Sequence, residues 1–255
     1  MFQKKTLGQH FLRNRHYLAA IADAAGIQKG ETVLEIGPGD GALTEQLLAS
    51  GCKLLAVEKD HRLIPLLQKK FAHKIKAGRL QLVEKDALEF NPSDYKLEAK
   101  NYKLVANIPY YITGALLKKF LSGEKQPSSM VLLVQKEVAE RIARTKKESV
   151  LSLSVKAYAT PHYIKTVPRG AFSPAPKIDS AILALRDISR KNFKTARQEQ
   201  LFFELVKKGF SSKRKFLRSN LGKKYSDTLQ RVGIPEKARA EDVPLAQWLT
   251  LSAVI

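Results

Sequence analysis

Five short runs of β-branched and aliphatic residues, at 32–36, 54–57, 80–83, 103–106 and 130–134, recur along the chain with stretches of helical periodicity between them. The runs are apolar on both faces, so each strand must be buried on both sides. A parallel sheet with helices laid over both faces meets that demand. The amphipathic stretches at 42–49, 63–71 and 115–121 supply such helices. The pattern therefore predicts a doubly wound α/β domain. Two further runs, 151–157 and 181–185, read as strands that add an antiparallel edge.

Past residue 185 the alternation stops, and residues 186–224 hold thirteen basic side chains against three acidic ones. A boundary there divides the chain into a sheet domain, 1–186, and a small all-helical domain, 187–255. Phe202, Val206, Phe210, Leu217 and Leu221 keep a helical stripe, with Gly209 and the Ser211-Ser212 pair as a bend or break. Lys207, Lys208, Lys213, Arg214, Lys215 and Arg218 lie off that stripe and form the candidate nucleic-acid grip. The whole chain of 255 residues carries 45 Lys and Arg against 24 Asp and Glu, a formal charge of +21. Such an excess goes beyond what solubility asks and implies a polyanionic partner, without distinguishing RNA from DNA. Cys52 is the only cysteine, which excludes an intramolecular disulfide and a cysteine-based zinc site. No motif in the chain calls for a metal. The first residues are polar and the longest apolar runs are strand-sized, so the expectation is a cytoplasmic protein with neither secretion signal nor membrane span.

The string Glu35-Ile36-Gly37-Pro38-Gly39-Asp40-Gly41-Ala42 follows the first strand and opens a helix. Glycines such as Gly37 and Gly39 there let backbone approach a ligand, and the helix amides face it. Because Ala42 can stand for the last glycine of a dinucleotide fingerprint, the loop alone fits a nicotinamide dinucleotide as well as S-adenosylmethionine. Glu58 ends the second strand 21 positions after Gly37, where a carboxylate accepts hydrogen bonds from both ribose hydroxyls of either cofactor. Asp86 ends the third strand, placed to accept a bond from an adenine amine. Each acid alone reads more simply as a turn or cap residue; their recurrence at the carboxyl ends of successive strands argues for one shared crevice.

Asn107-Ile108-Pro109-Tyr110 ends the fourth strand and decides the reaction. An adenine amine is a poor nucleophile because its lone pair is conjugated into the ring. Catalysis of its methylation has to hold that nitrogen in line with a methyl sulfonium and favour a tetrahedral geometry, which positioning and fixed acceptors can do. The Asn107 side-chain oxygen and a backbone carbonyl of the Ile108-Pro109 segment suit the two amine hydrogens. Pro109 stiffens the turn through its fixed φ, and Tyr110 offers a stacking face to a base taken out of its helix. The bland alternative is a strand-terminating turn with a packed tyrosine. What separates the two is that this turn follows the same strand edge as Gly37, Glu58 and Asp86.

With these strings in hand, the chain resembles the ribosomal RNA small-subunit adenine dimethyltransferase family of KsgA type. The resemblance runs from Leu7-Gly8-Gln9-His10-Phe11-Leu12 through the glycine loop, Glu58, Asp86 and Asn107-Ile108-Pro109-Tyr110 to the string from Phe172 to Ser180. It continues in the string from Lys213 to Leu221 and in Lys237-Ala238-Arg239-Ala240-Glu241-Asp242. It implies a Rossmann-like class I methyltransferase sheet with a helical C-terminal domain. It also implies that His10, Leu12, Gly37, Glu58, Asp86 and Asn107 contact S-adenosylmethionine, and that Tyr110 and Phe172 sandwich the target adenine. The implied substrate is a pair of adjacent adenines in the 3′-terminal hairpin of small-subunit rRNA, met on an immature 30S subunit; a monomer is the default expectation for the chain. One departure is Ser149-Val150, just before Leu151-Ser152, where the family usually shows an aromatic-Gly pair. Three other readings compete: an Erm-type enzyme acting on large-subunit rRNA, a non-catalytic assembly or nucleic-acid-binding factor, and a dehydrogenase. The segment at 237–242 speaks against the first, the intact Asn107 motif against the second, and the charge against the third.

Overall fold

The structure is a computed structural model that describes residues 10–255, so Leu7, Gly8 and Gln9 of the N-terminal string lie outside the described residues. A two-residue strand β1 (Phe11–Leu12) leads into α1 (Arg15–Ala25), capped by the Asn14 side chain accepting from His16 N. Next come β2 (Thr32–Ile36), α2 (Ala42–Ala49), β3 (Lys53–Glu58), α3 (Ile64–Lys70), α4 (Ala72–Lys76), β4 (Leu80–Glu84) and β5 (Tyr102–Asn107). α5 (Thr113–Ser122), β6 (Ser129–Gln135), α6 (Lys136–Ala143), α7 (Val150–Lys156), β7 (Thr160–Val167), β8 (Phe172–Ser173) and β9 (Ser180–Arg186) follow. α8 (Ala196–Gly209), α9 (Leu217–Leu221), α10 (Ser226–Arg231) and α11 (Leu245–Val254) complete the order.

Seven strands form one sheet in the order β4-β3-β2-β5-β6-β9-β7. β2 runs parallel to β3 and β5, as do β4 to β3 and β6 to β5, whereas β9 is antiparallel to β6. Neighbouring residues on opposite faces, Val33 with Leu34 and Leu132 with Leu133, are all 0 % exposed, the double burial that the apolar runs require. From β2 the chain winds outward through β3 and β4, then returns to lay β5 on the other side of β2. That reversal opens a crevice beyond the carboxyl ends of β2 and β5, where open α/β sheets bind ligands. In a separate pairing, β1 lies antiparallel to β8, with Phe11 opposite Ser173 and Leu12 opposite Phe172.

Contacts divide the chain into two compact units, one ending at Ala139 and resuming over His162–Ile188, the other made of Glu140–Pro161 and Ser189–Ile255. The boundary expected after residue 186 lies close to Ile188, but residues 140–161 group with the C-terminal unit rather than with the sheet. Tyr158 is the reason: its hydroxyl donates to Glu199, its carbonyl accepts from Ser189 N at 2.8 Å, and its ring packs on Phe193 and Phe203. The segment 151–157, expected as a strand, is instead helix α7. Ser149 and Ser152 cap it reciprocally, Ser149 Oγ accepting from Ser152 N at 3.1 Å and Ser152 Oγ from Ser149 N at 2.7 Å. The departing residue Ser149 thus has a structural use as the helix cap, and the two-residue alternation Leu-Ser-Leu-Ser-Val is incidental.

In the second unit α8 packs against α11, and Trp248 is fully buried with Nε1 donating to Val243 O at 3.2 Å. Gly209 ends α8 as expected, but for a packing reason. A Cβ at that position would stand 2.5 Å from the Trp248 ring and 2.8 Å from Leu217. The segment at 237–242 also has a fold role, since Lys147 pairs with Glu241 at 2.5 Å and Glu148 N donates to Glu241 O at 2.7 Å. Lys147 holds the Glu241 carboxyl below its ordinary pKa. Among the described residues no helix is long and apolar enough to cross a membrane.

Candidate active site

The carboxyl ends of β2, β3, β4 and β5 deliver their side chains to one cavity of about 210 Å³. Parallel pairing sets Ile36 level with Val57 and Ala106, so Gly37, Glu58 and Asn107 emerge side by side. Every cofactor and catalytic candidate named from the sequence lines this cavity: His10, Leu12, Gly37, Gly39, Glu58, Asp86, Asn107, Ile108, Pro109, Tyr110 and Phe172. Lys207, Lys208, Lys213, Arg214, Lys215 and Arg218 belong to the other unit, where all six are exposed. Arg218 is ion-paired with Glu236 and Lys208 lies over the Tyr225 ring at 5.8 Å. The remaining four make no ion pair among the described residues.

The glycine loop turns at Gly37 (φ 72) and Gly39 (φ 60), left-handed conformations that side chains resist. Gly37 N donates to Val57 O at 2.9 Å, and a Cβ on Gly39 would meet the Phe11 ring at 3.0 Å, so β1 presses directly on the loop. Glu58 is 6 % exposed and accepts from Gly39 N at 3.1 Å and Asp60 N at 2.8 Å, one bond to each oxygen. Burial pushes its pKa up against those bonds. Each oxygen keeps a further lone pair. Asp86 is ionised more readily than usual, because the Lys59 ammonium sits 2.6 Å from its Oδ2, while Leu88 N donates to its Oδ1 at 2.8 Å.

Asn107 closes β5 half-buried, and its side-chain amide has no hydrogen-bond partner among the described residues. A partly buried amide that lines a cavity without a protein partner is open to a ligand or to water. After it, Ile108 is buried and Pro109 sits at φ −55, ψ 136. Pro109 O accepts from Ile112 N at 3.2 Å to close a single 3₁₀ turn at Tyr110–Ile112. Within that turn Tyr110 is half-buried, its hydroxyl 2.6 Å from Ser180 Oγ on β9 and its ring roughly parallel to His10 at 6.4 Å. Burial raises its pKa, so it stays a neutral phenol. His10 donates from Nδ1 to Pro174 O at 2.9 Å, since a carbonyl can only accept. Phe172, 7 % exposed, is both a core residue and a wall of the cavity.

The sequence reading gave no role to Ser180, which locks the Tyr110 ring, although the residue stood in a quoted string. It also passed over Lys59 and Asp60, directly after Glu58, and over the β1 to β8 pairing. Two-residue strands carry no periodic signal. The residues present suit a nucleoside-bearing cofactor: bare backbone at two left-handed turns, a buried carboxylate with spare lone pairs, and an unpartnered amide. They do not by themselves choose among such cofactors.

Residues 2–255 match the ribosomal RNA adenine dimethylase family. A ribosomal RNA small subunit methyltransferase A of Dehalococcoides mccartyi is 40% identical over 97% of this chain and 87% of its own length. Its counterpart in Fusobacterium nucleatum is 37% identical over 97% of this chain and 96% of its own. Among solved structures, a dimethyladenosine transferase from Plasmodium falciparum is similar with a TM-score of 0.81 and 28% identity, covering 95% of this chain and 96% of its own. The 23S rRNA methyltransferase ErmE gives 0.78 at 28% identity, covering 95% of this chain and 98% of its own. The sheet is thus the class I methyltransferase fold. With the match spanning both units, the chain belongs to the ribosomal RNA adenine dimethylase family.

Proposed function

We propose that this chain transfers methyl groups from S-adenosylmethionine to the exocyclic N6 of two adjacent adenines in the 3′-terminal hairpin of small-subunit rRNA. The unpartnered Asn107 amide, set between the glycine loop and Tyr110, carries the reading. Names of relatives support the substrate, and the family supports the reaction. S-adenosylmethionine would supply the methyl group as an electrophilic sulfonium carbon. Gly37 and Gly39 would approach it with backbone, Glu58 would accept from its ribose hydroxyls and Asp86 from its adenine amine. His10, just before β1, and Leu12 within it would border it, and Asn107 would meet it at the inner end. The target base would stack between Tyr110 and Phe172.

Asn107 Oδ1 would accept one hydrogen of the target amine. Pro109 O already accepts from Ile112 N whereas Ile108 O accepts no backbone bond among the described residues, so the Ile108 carbonyl is the more available backbone acceptor for the other. Holding both hydrogens draws the nitrogen toward tetrahedral geometry and directs its lone pair at the methyl donor. As the new C–N bond would form and the sulfonium C–S bond break, leaving S-adenosylhomocysteine, the amine would gain positive charge and then lose a proton to water or to one of these acceptors. No side chain need act as a base. The exposed lysines and arginines of the C-terminal unit would grip the RNA backbone. The enzyme would work as a metal-independent monomer in the cytoplasm, where small subunits assemble.

Incubation with labelled S-adenosylmethionine and immature small subunits tests the proposal, with label expected on adjacent adenines near the 3′ end. Label mapping to large-subunit rRNA would replace it with the second reading, which the likeness to ErmE favours. Bound but unlabelled subunits would point to a scaffold. Asn107→Ala is expected to lose about 100-fold or more in transfer rate, the scale of one lost transition-state hydrogen bond, with RNA affinity retained.

A further inference from the structure

Two consecutive tyrosines in the same short turn are treated in opposite ways. Tyr110 is half-buried, its hydroxyl tied to Ser180 and its ring beside His10. Tyr111 is 70% exposed, the most open of the large hydrophobic side chains on the described surface, and it makes no hydrogen bond or ring contact among the described residues. Yet it lines the same cavity, together with Leu88, itself 37% exposed. The Leu88 carbonyl accepts from Lys119 Nζ at 3.0 Å, and its amide is held by Asp86, so this part of the rim is fixed. Lys59, whose side chain is 62% exposed, stands on Asp86 at the same edge.

We infer that Tyr111 and Leu88 form a subsite for the nucleobase adjoining the target adenine, with Tyr111 as its stacking face. The inference rests on the reading that an adenine of RNA enters this cavity. When a base leaves its helix, each neighbour loses a stacking partner, and the strand must turn at the mouth of the pocket. An exposed phenol ring at that mouth replaces the lost face, and any base has a face to offer. The continuity of the rim with the cavity and the strong positive charge of the chain favour an RNA occupant over an apolar peptide. Tyr111 is thereby a positioning residue: it sets where the strand lies and, through it, how the target amine meets Asn107.

Full-length protein and the variants Tyr111→Ala and Tyr111→Phe distinguish the outcomes. Methyl transfer to undermethylated small subunits is followed as KM and kcat, alongside affinity for S-adenosylhomocysteine. Affinity is also measured for an RNA hairpin bearing the target adenine beside either an intact or an abasic neighbour. Tyr111→Ala should raise KM for RNA about tenfold, within the range of one base-aromatic stack, with cofactor affinity unchanged, and Tyr111→Phe should match wild type. The abasic neighbour should weaken wild-type binding by a similar factor while leaving Tyr111→Ala unaffected. Equal KM for wild type and Tyr111→Ala, or an abasic penalty that survives in Tyr111→Ala, overturns the subsite alone. A wild-type protein that labels no RNA overturns the underlying reading, and the subsite with it.

Discussion

Beneath the glycine loop lies a carboxyl group that makes no ion pair among the described residues. Glu35 is 0 % exposed; its Oε2 accepts from Thr44 Oγ1 at 2.8 Å, and its Oε1 has no hydrogen-bond partner among the described residues. Burial pushes its pKa up to about 8, so at neutral pH the group holds its proton. A carboxyl that binds its proton more tightly when folded stabilises the fold fully below the unfolded pKa of about 4.3. That contribution is lost as pH rises toward about 8. Denaturant unfolding at pH 5 and pH 9 should therefore show wild type losing at least about 1 kcal/mol more than Glu35→Gln, the equivalent of one pKa unit. Parallel losses in the two proteins would mean that Glu35 is ionised throughout. Glu35 stands in the glycine string, but nothing local in the sequence distinguishes a carboxylate at the rim from a carboxyl in the core. Glu58, Asp86 and Asn107 were legible as cavity residues because each ends a strand, and strand ends of a parallel sheet converge. Ser180 was not, since its value depends on Tyr110, 70 positions earlier.

Among the elements, helix α8 shows how packing can reverse an intrinsic preference. Gly→Ala inside a helix ordinarily gains about 1 kcal/mol. At Gly209 the added methyl would lie 2.5 Å from the rigid Trp248 ring, well inside contact distance. Overpacking of this kind costs about 1–3 kcal/mol, so Gly209→Ala should lower the unfolding midpoint of the protein rather than raise it. A raised midpoint would show that α8 and α11 separate more easily than their packing suggests. The same contrast explains which elements could be read in advance. The five parallel strands emerged from the sequence to within a residue at either end, because burial on both faces of β2, β3, β5 and β6 leaves little freedom of composition and the edge strand β4 keeps Leu80 and Val83 buried. β7 escaped notice because, as an edge strand with mostly solvent-facing side chains and Pro161 near its start, it lacks the apolar signal. The α7 segment reads as a strand in the sequence because alternate small polar residues imitate a two-residue period, and the Ser149-Ser152 cap is the local signal for the helix.

For the molecule as a whole, the formal charge of +21 is the dominant physical fact about its encounters. Lys213, Arg214 and Lys215 are exposed and make no ion pair among the described residues, so each can displace a counterion from a phosphate. Replacing all three with Ala should weaken RNA binding and reduce the slope of log affinity against log salt by about 2–3. A slope identical to wild type would place the RNA footprint elsewhere on the protein. The first unit has a different kind of global constraint, in the pairing of Leu12 with Phe172 across 160 positions of chain. During synthesis, a nascent polypeptide can build β2 through β6 soon after they leave the exit tunnel. The early strand still has to wait, unpaired, until Phe172 and Ser173 emerge. The wall that carries His10 and Leu12 is therefore the last part of the pocket to be finished, and a half-made chain cannot assemble the complete pocket.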